Sequence, residues 1–426
     1  MTVGLLIIAL CTLAFALVAK RLSSTIVTAP MLFIALGALL ATTGLVQHEQ
    51  AESALHLVAE IALIVLLFLD AAQINLQVLR KRHVWPVRML VLGLPLAILL
   101  GTLAAWALLP TWPLVALALI AAILAPTDAA LGQAVVTNAI VPARSRRALT
   151  VESGLNDGLA LPIVLLFASL TAQVMKQDAT NWLLFAAGQL ILGPVVGVVA
   201  GLLGGRALLA VKQRGWTARA YEGAGALSLA GGTYLAATLV GGNGFIAAFV
   251  AGLSFGHVVQ GQCPFVYEFT ESEGQLLSWA AFLLLGLAVV PQAVSQMDGT
   301  MLAIILASLF VVRPLAVWLS LLGTDAAGIT RLFFGWFGPR GLATALFALL
   351  VVEQIDRELG EWILMLAVNT VWISALLHGV SAAPGARWYA ARIRAKGECA
   401  EIEHVEQSAK PLISRTSHAE SADKVA

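Results

Sequence analysis

Charge is scarce in this chain. Only 12% of its 426 residues are Asp, Glu, Lys or Arg, about half the roughly 25% of an ordinary soluble domain. With 60% hydrophobic residues, it lacks the polar surface that keeps a soluble fold in water, and the composition is that of an integral membrane protein. Cysteine is scarcer still. Cys11, Cys263 and Cys399 stand far apart with no paired spacing, which argues against a disulfide framework or a cysteine metal site. The seven histidines form no ligand cluster, so no resident metal or cofactor is expected. Basic residues are spread along the chain and the net charge is only +1, so no nucleic-acid partner is expected either. The first residues, "MTVGLLIIALCTLAFALVAKRLSS", have no basic n-region and a long apolar run followed by Lys20 and Arg21. They read as a first transmembrane helix rather than a cleaved signal.

Long apolar runs are what the chain has in abundance. A transmembrane helix needs about 20 mostly apolar residues. Thirteen candidate spans follow, near 2–19, 25–44, 54–78, 87–109, 113–138, 148–174, 183–209, 220–240, 242–258, 275–292, 300–323, 332–353 and 361–383. Basic residues collect after spans one, three, five, seven and thirteen and before span twelve: Lys20 and Arg21; Arg80, Lys81 and Arg82; Arg144, Arg146 and Arg147; Lys212 and Arg214; Arg387, Arg392 and Arg394; Arg331. By the positive-inside rule the N-terminus is outside and the C-terminus cytoplasmic. The loop after span nine departs from the pattern, with Glu268, Glu271 and Glu273 and no basic residue. Residues 1–383 thus read as one membrane domain and 384–426 as a short, disordered cytoplasmic tail, with no soluble catalytic domain expected.

Ionisable residues inside such spans are costly and mark function by default. Asp157 lies ten residues after Arg147, Asp128 ten before Asn138, Asp70 ten before Arg80, and Arg340 nine after Arg331. At 1.5 Å per residue each sits about 15 Å from a membrane edge, near the middle of the bilayer. In span six, "ESGLND", the residues Glu152, Asn156, Ser153 and Asp157 fall at roughly 0°, 40°, 100° and 140° around the helix and form one polar arc.

Two spans are interrupted at that same depth. "LAPTDAALGQ" in span five contains Pro126, which removes an amide donor and crowds the preceding turn. "FGPRGLATALF" in span twelve has Gly338, Pro339 and Gly341 around Arg340. Irregular backbone at membrane depth is tolerated only against protein or a water-filled cavity. Spans 1–6 and 8–13 form two six-helix units of opposite orientation, about 1–175 and 220–383, joined by span seven near 183–209. The broken helix is the fifth of each. The expected fold is therefore all-α and polytopic, with about 13 helices, two inverted repeats and two crossed, interrupted helices. This pattern is the best sequence pointer to a transporter binding site. Asp128 suits the positive helix ends at the breaks, and Arg340 the negative ones.

With "PTD", "ESGLND" and "GPRG" in these places, the sequence resembles the monovalent cation–proton antiporters, and more narrowly the bacterial and archaeal sodium–proton exchangers related to the animal exchangers. The likeness covers nearly the whole membrane region. It implies that Asp157 binds either a proton or a cation, with Asn156 beside it, and that Thr127, Asp128 and Ser153 complete a site for Na+. It implies that Arg340 pairs with Glu152, although Arg313, also deep in a span, is a rival partner on sequence grounds. An acidic residue in span three often joins the family site. Asp70 in "LLFLDAAQINL" stands there, with Ala71 where the family usually has glycine. The resemblance further implies a mobile core domain, a dimerisation domain, a homodimer and a location in the bacterial inner membrane.

The expected activity is exchange of a monovalent cation, Na+ before Li+ or K+, for H+ across the lipid bilayer. It is expected to be electroneutral, because Asn156 cannot carry a proton and only Asp157 changes charge. An enzyme is not expected, since no nucleophile or metal motif accompanies Glu152 and Asp157. The alternative is a sodium-coupled symporter of an organic anion on a similar inverted-repeat fold, which would show a more apolar substrate pocket and coupled solute uptake.

Overall fold

The computed structural model describes residues 2–22, 26–45, 48–74, 84–176, 182–260, 262–352, 354–397 and 399–402. Among these the regular structure is helical throughout. Among the described residues, each of the thirteen sequence segments is mostly helical. Among the described residues six helices are long and apolar enough to cross a membrane: Gln50–Ala72, Val84–Leu108, Ala143–Val174, Gly188–Gln213, Gly299–Ser320 and Arg357–Ala395. The others are shorter, broken or less uniformly apolar. Arg80, Lys81 and Arg82, used above for charge asymmetry, lie outside the described residues, as does the chain from residue 403.

Span five divides into Leu114–Leu124 and Ala129–Val136, and span twelve into Gly328–Trp336 and Leu342–Val352. The chain between is non-helical at residues 126–128 and 338–341. Proline supplies the break in each, because it offers no N–H to the turn before it.

Spans four and eleven share a second irregularity. Each contains one π-helical turn, Met89–Gly93 and Ser308–Val312. Each turn is followed, two residues on, by proline: Pro95 and Pro314. Such a proline cannot bond to the carbonyl four residues back and its ring crowds that oxygen. Widening the turn relieves the clash, and Leu94 and Arg313 donate instead to Met89 and Ser308, five residues back. Spans four and eleven are the fourth members of the two six-helix units expected from the sequence.

Two boundaries differ from expectation. The helix of span ten starts at Pro264 rather than near 275, so the acidic residues of the supposed loop are helical; Pro264 occupies the first turn, where its missing N–H costs nothing. Span thirteen runs to Ala395, so the tail does not begin at 384. Here burial outweighs local polarity. Ala382, Ala386, Tyr389 and Ile393 recur every three or four residues and are buried in an apolar cluster with Phe333 and Phe337, where Tyr389 stacks on Phe333 at 3.9 Å. Arg387, Arg392 and Arg394 turn away from that cluster.

Candidate functional site

The two breaks meet. The Asp128 amide donates to the Pro339 carbonyl at 2.9 Å, and the Leu342 amide donates to Asp128 Oδ2 at 2.9 Å. Asp128 therefore faces the N-terminus of the second half of span twelve, where unpaired N–H groups carry positive partial charge. Arg340 does the converse. Its Nη1 donates to the carbonyls of Ala125 and Pro126, at 2.6 and 3.1 Å, at the C-terminal end of the first half of span five. Gly341 makes the approach possible, since a methyl group there would overlap the Asp128 carboxyl.

Span six lies against this crossing. Asn156 Nδ2 donates to Thr127 Oγ1, and Thr127 Oγ1 lies 3.4 Å from Ser153 Oγ. Thr127, Ser153 and Asn156 are all buried. Because the Asn156 amide nitrogen is committed to Thr127, its oxygen is turned elsewhere. Asn156 Oδ1 and Asp157 Oδ1 are both buried without a hydrogen-bond partner. A buried acceptor left without a donor is costly unless something positive comes to it. Asp157 is within electrostatic reach of Asp128, Asp70 and Glu152, and Asp70 of Asp128. Span three packs close enough that the Asp70 carbonyl lies 4.0 Å from where a Gly154 side chain would begin. The structure thus gathers Thr127, Asp128, Ser153 and Asn156 where the breaks meet, with Asp157 and Asp70 within electrostatic range of Asp128. Their oxygens are hard donors suited to a monovalent ion or a proton. No cluster of three or more His, Cys, Asp or Glu with metal-holding geometry is found among the described residues.

The buried ion pair differs from the one that resemblance implied. Glu152 pairs with Arg313, not Arg340: Nη1 meets Oε1 and Nη2 meets Oε2, both at 3.1 Å. Arg313 also donates to the Phe334 carbonyl at 3.4 Å. Gly338 leaves room for its guanidinium, which a methyl group would overlap. The π turn ends at Val312, immediately before Arg313. Arg340 needs no carboxylate of its own, because the helix end at Ala125 and Pro126 serves as its counter-charge.

The crossing contains residues that the sequence reading passed over. Ser374 and His378 of span thirteen bond to the span-twelve break, and Ser308 Oγ lies 3.5 Å from Arg340 Nη2. Ser374 and His378 stand one turn apart in the apolar run "VNTVWISALLHGV", and that spacing was the available signal. At the end of the bundle carrying Arg144 and Arg331, Glu401 is buried and accepts from Ala327 N at 2.9 Å and Thr330 Oγ1 at 2.6 Å. It caps the first half of span twelve. Burial works against the charge of Glu401, but the Thr330 hydroxyl and the Ala327 amide more than offset it and hold the carboxyl below its ordinary pKa.

Residues 5–388 match the family model described as sodium/hydrogen exchanger, transmembrane. The chain belongs to the sodium/hydrogen exchanger family. It is 28% identical over 337 residues to the K(+)/H(+) antiporter NhaP of Alkalimonas amylolytica, covering 78% of this chain and 57% of that protein. It is 28% identical over 291 residues to the K(+)/H(+) antiporter NhaP2 of Shewanella oneidensis, covering 67% of this chain and 49% of that protein. The chain thus spans about half the length of these curated relatives. Its fold is that of the sodium proton antiporter MjNhaP1 from Methanocaldococcus jannaschii, with a TM-score of 0.74 at 20% identity over 91% of this chain and 99% of that one. This exchanger-family chain is an integral membrane protein, helical in its described residues, and Asp128, Arg340, Glu152 and Arg313 lie around the meeting of its two broken helices.

Proposed function

We propose that this protein exchanges a monovalent cation, Na+ in the first reading, for H+ across the membrane. The observation that carries the proposal is the pair of unpartnered buried oxygens, Asp157 Oδ1 and Asn156 Oδ1, beside two further aspartates at the meeting of the two broken helices. Carboxylates crowded together away from water cannot all stay charged without a counter-ion. A proton on Asp157 supplies the missing charge, and so does a cation held by Asp157 with Asp128, Ser153 and Thr127. One ligand excludes the other. If the site faces the two sides in turn, cation and proton travel in opposite directions.

Glu152 with Arg313, and Arg340 with its carbonyls, are fixed structural charges in this cycle. Asn156 cannot release a proton, so one cation is exchanged for one proton. Asp70 contributes to the electrostatics of the site. Thirteen crossings put the N-terminus outside and the C-terminus in the cytoplasm of a bacterial inner membrane. The two inverted units, 1–175 and 220–383, are bridged by span seven, and two chains form a homodimer. The repeated π turns of spans four and eleven support the inverted repeat. No cofactor takes part.

Potassium is a second reading, favoured by the names of the two Alkalimonas and Shewanella relatives, both K(+)/H(+) antiporters. The test is purified protein in proteoliposomes with an internal pH-sensitive dye. Na+, Li+ or K+ is added outside in turn. Proton movement driven by at least one of them supports exchange, and the ranking of the three selects the ion. Proton movement with none, or only with an added organic anion, contradicts it.

A further inference from the structure

The break in span twelve leaves backbone groups that a continuous helix would pair. Trp336 ends the first half and Leu342 begins the second. On one side Asp128 takes the Leu342 N–H and gives its own to the Pro339 carbonyl. The opposite side is held by span thirteen. Ser374 Oγ accepts the Arg340 N–H at 2.7 Å. His378 Nε2 lies 2.9 Å from the Trp336 carbonyl, and its Nδ1 lies 3.1 Å from Ser374 Oγ and 2.8 Å from the Ser374 carbonyl. Each ring nitrogen faces a carbonyl, which only accepts, and a neutral ring carries one proton: on Nε2 it bonds Trp336 and leaves Nδ1 to accept the Ser374 hydroxyl, two bonds, whereas on Nδ1 it bonds the Ser374 carbonyl alone, so the Nε2 tautomer is the one we assign. The ring also stacks on the Trp336 indole with centroids 4.9 Å apart. His378 is 2% exposed and Ser374 fully buried, so water does not compete for these bonds.

We propose that His378 is a positioning residue of the exchange site. It grips the Trp336 carbonyl directly and the Arg340 amide through Ser374, and so ties both ends of the break to span thirteen. Asp128 is bonded to Pro339 and Leu342 of the same break, so this clamp sets where the Asp128 carboxylate stands relative to Asp157. Cation affinity depends on that placement, because oxygens that must converge on one ion lose affinity when one is displaced. The effect on cation affinity rests on the exchange reading above; the clamp itself does not.

The test uses the full chain with His378→Gln, His378→Asn, His378→Phe and Ser374→Ala. A glutamine amide reaches the Nε2 place, an asparagine amide only the Nδ1 place, and phenylalanine keeps volume and stacking alone. Two quantities are measured: KM and maximum rate for Na+-driven or K+-driven proton movement in proteoliposomes, and backbone hydrogen exchange at Arg340 and Leu342. His378→Gln should stay within about two-fold of wild type in both. His378→Phe and His378→Asn should raise KM by about ten-fold, the scale of one lost buried hydrogen bond, while the maximum rate falls much less. Amide exchange at the break should rise by a similar factor. Ser374→Ala should free the Arg340 amide and raise KM likewise. If His378→Phe does not fold, His378→Asn and Ser374→Ala carry the test.

Wild-type KM and amide protection in those variants would overturn the clamp. So would a glutamine variant as impaired as the phenylalanine one, since the Nε2 donor would then not be what matters. If wild type itself moves no protons with any cation, the exchange reading fails separately. Amide exchange then decides the clamp alone: raised by Asn and Ala but not by Gln, it stands; unchanged, it falls.

Discussion

Glu152 and Arg313 are joined by two parallel N–H···O contacts of 3.1 Å between spans six and eleven, with both residues at most 5% exposed. Two charges taken this far from water are tolerated because each satisfies the other with good geometry. Removing one strands its partner. Arg313→Ala should therefore destabilise the protein by about 3–5 kcal/mol. Replacing both by Glu152→Gln and Arg313→Met should cost less than the two single changes added together. Thermal melts of the four proteins in one detergent give the coupling. Additive losses would remove the pair from its structural role.

Arg340 should behave differently. Its partners are carbonyls at the end of a half-helix, and these cannot be mutated away. Arg340→Ala leaves a neutral but unsatisfied helix end, whereas Arg313→Ala leaves a naked carboxylate. Of the two, Arg313→Ala should melt at the lower temperature, and a reversed order would restore Arg340 as the partner of Glu152.

Gly341 offers a steric test. A methyl group there would occupy the place of the Asp128 carboxyl, whereas Gly132 has nothing within 4 Å of such a group. Displacing a reacting group by about 1 Å can lower a rate by roughly 100-fold. Gly341→Ala should therefore cut exchange by about ten-fold or more, by moving Asp128, while Gly132→Ala stays near wild type. Proteoliposome rates at matched protein density check this. Equal rates for Gly341→Ala and wild type would show that Asp128 has freedom the crossing does not suggest.

Glu401 supplies a pH dependence. Its folded carboxyl is held below the ordinary value by hydrogen bonds that require the charged form. The unfolded chain takes up its proton first as pH falls. The stabilisation is therefore complete above the ordinary glutamate pKa of about 4.3 and is lost as pH drops through the lower folded value. The melting temperature of wild type should exceed that of Glu401→Gln at neutral pH, and the gap should close in acid. A gap independent of pH would mean that packing, not the carboxylate, is what Glu401 contributes.

The all-helical, apolar character of the fold, the two breaks and the spacing of the polar residues on span six could be read from the sequence. Those features have local causes: hydrophobic runs, proline beside glycine, and the 100° step of a helix. Pairing has no such local cause. Nothing in the spacing tells Glu152 to choose Arg313, because the choice depends on how spans six, eleven and twelve pack, with Gly338 leaving the guanidinium its space. Family resemblance pointed to Arg340 instead. The end of span thirteen was misplaced for a related reason. Residues 384–395 look polar on average, and only the apolar face of Tyr389 and Ile393 against Phe333 keeps them helical. Ser374 and His378 look like ordinary polar interruptions until the unpaired backbone of span twelve is set beside them.

In the proposed cycle Asp157 is the group on which exchange depends most directly. The decisive measurement is cation-driven proton movement by Asp157→Asn protein in proteoliposomes, beside wild type and with the membrane potential set by K+ and valinomycin for the Na+ experiment. Asparagine keeps the shape of aspartate but carries neither the proton nor the charge. Asp157→Asn should be folded and silent. The wild-type rate should not follow the imposed potential if, as proposed, one cation is exchanged for one proton. Near wild-type exchange by Asp157→Asn would contradict the assignment of the ion-binding carboxylate, and a wild-type rate that tracks the potential would contradict one-for-one exchange.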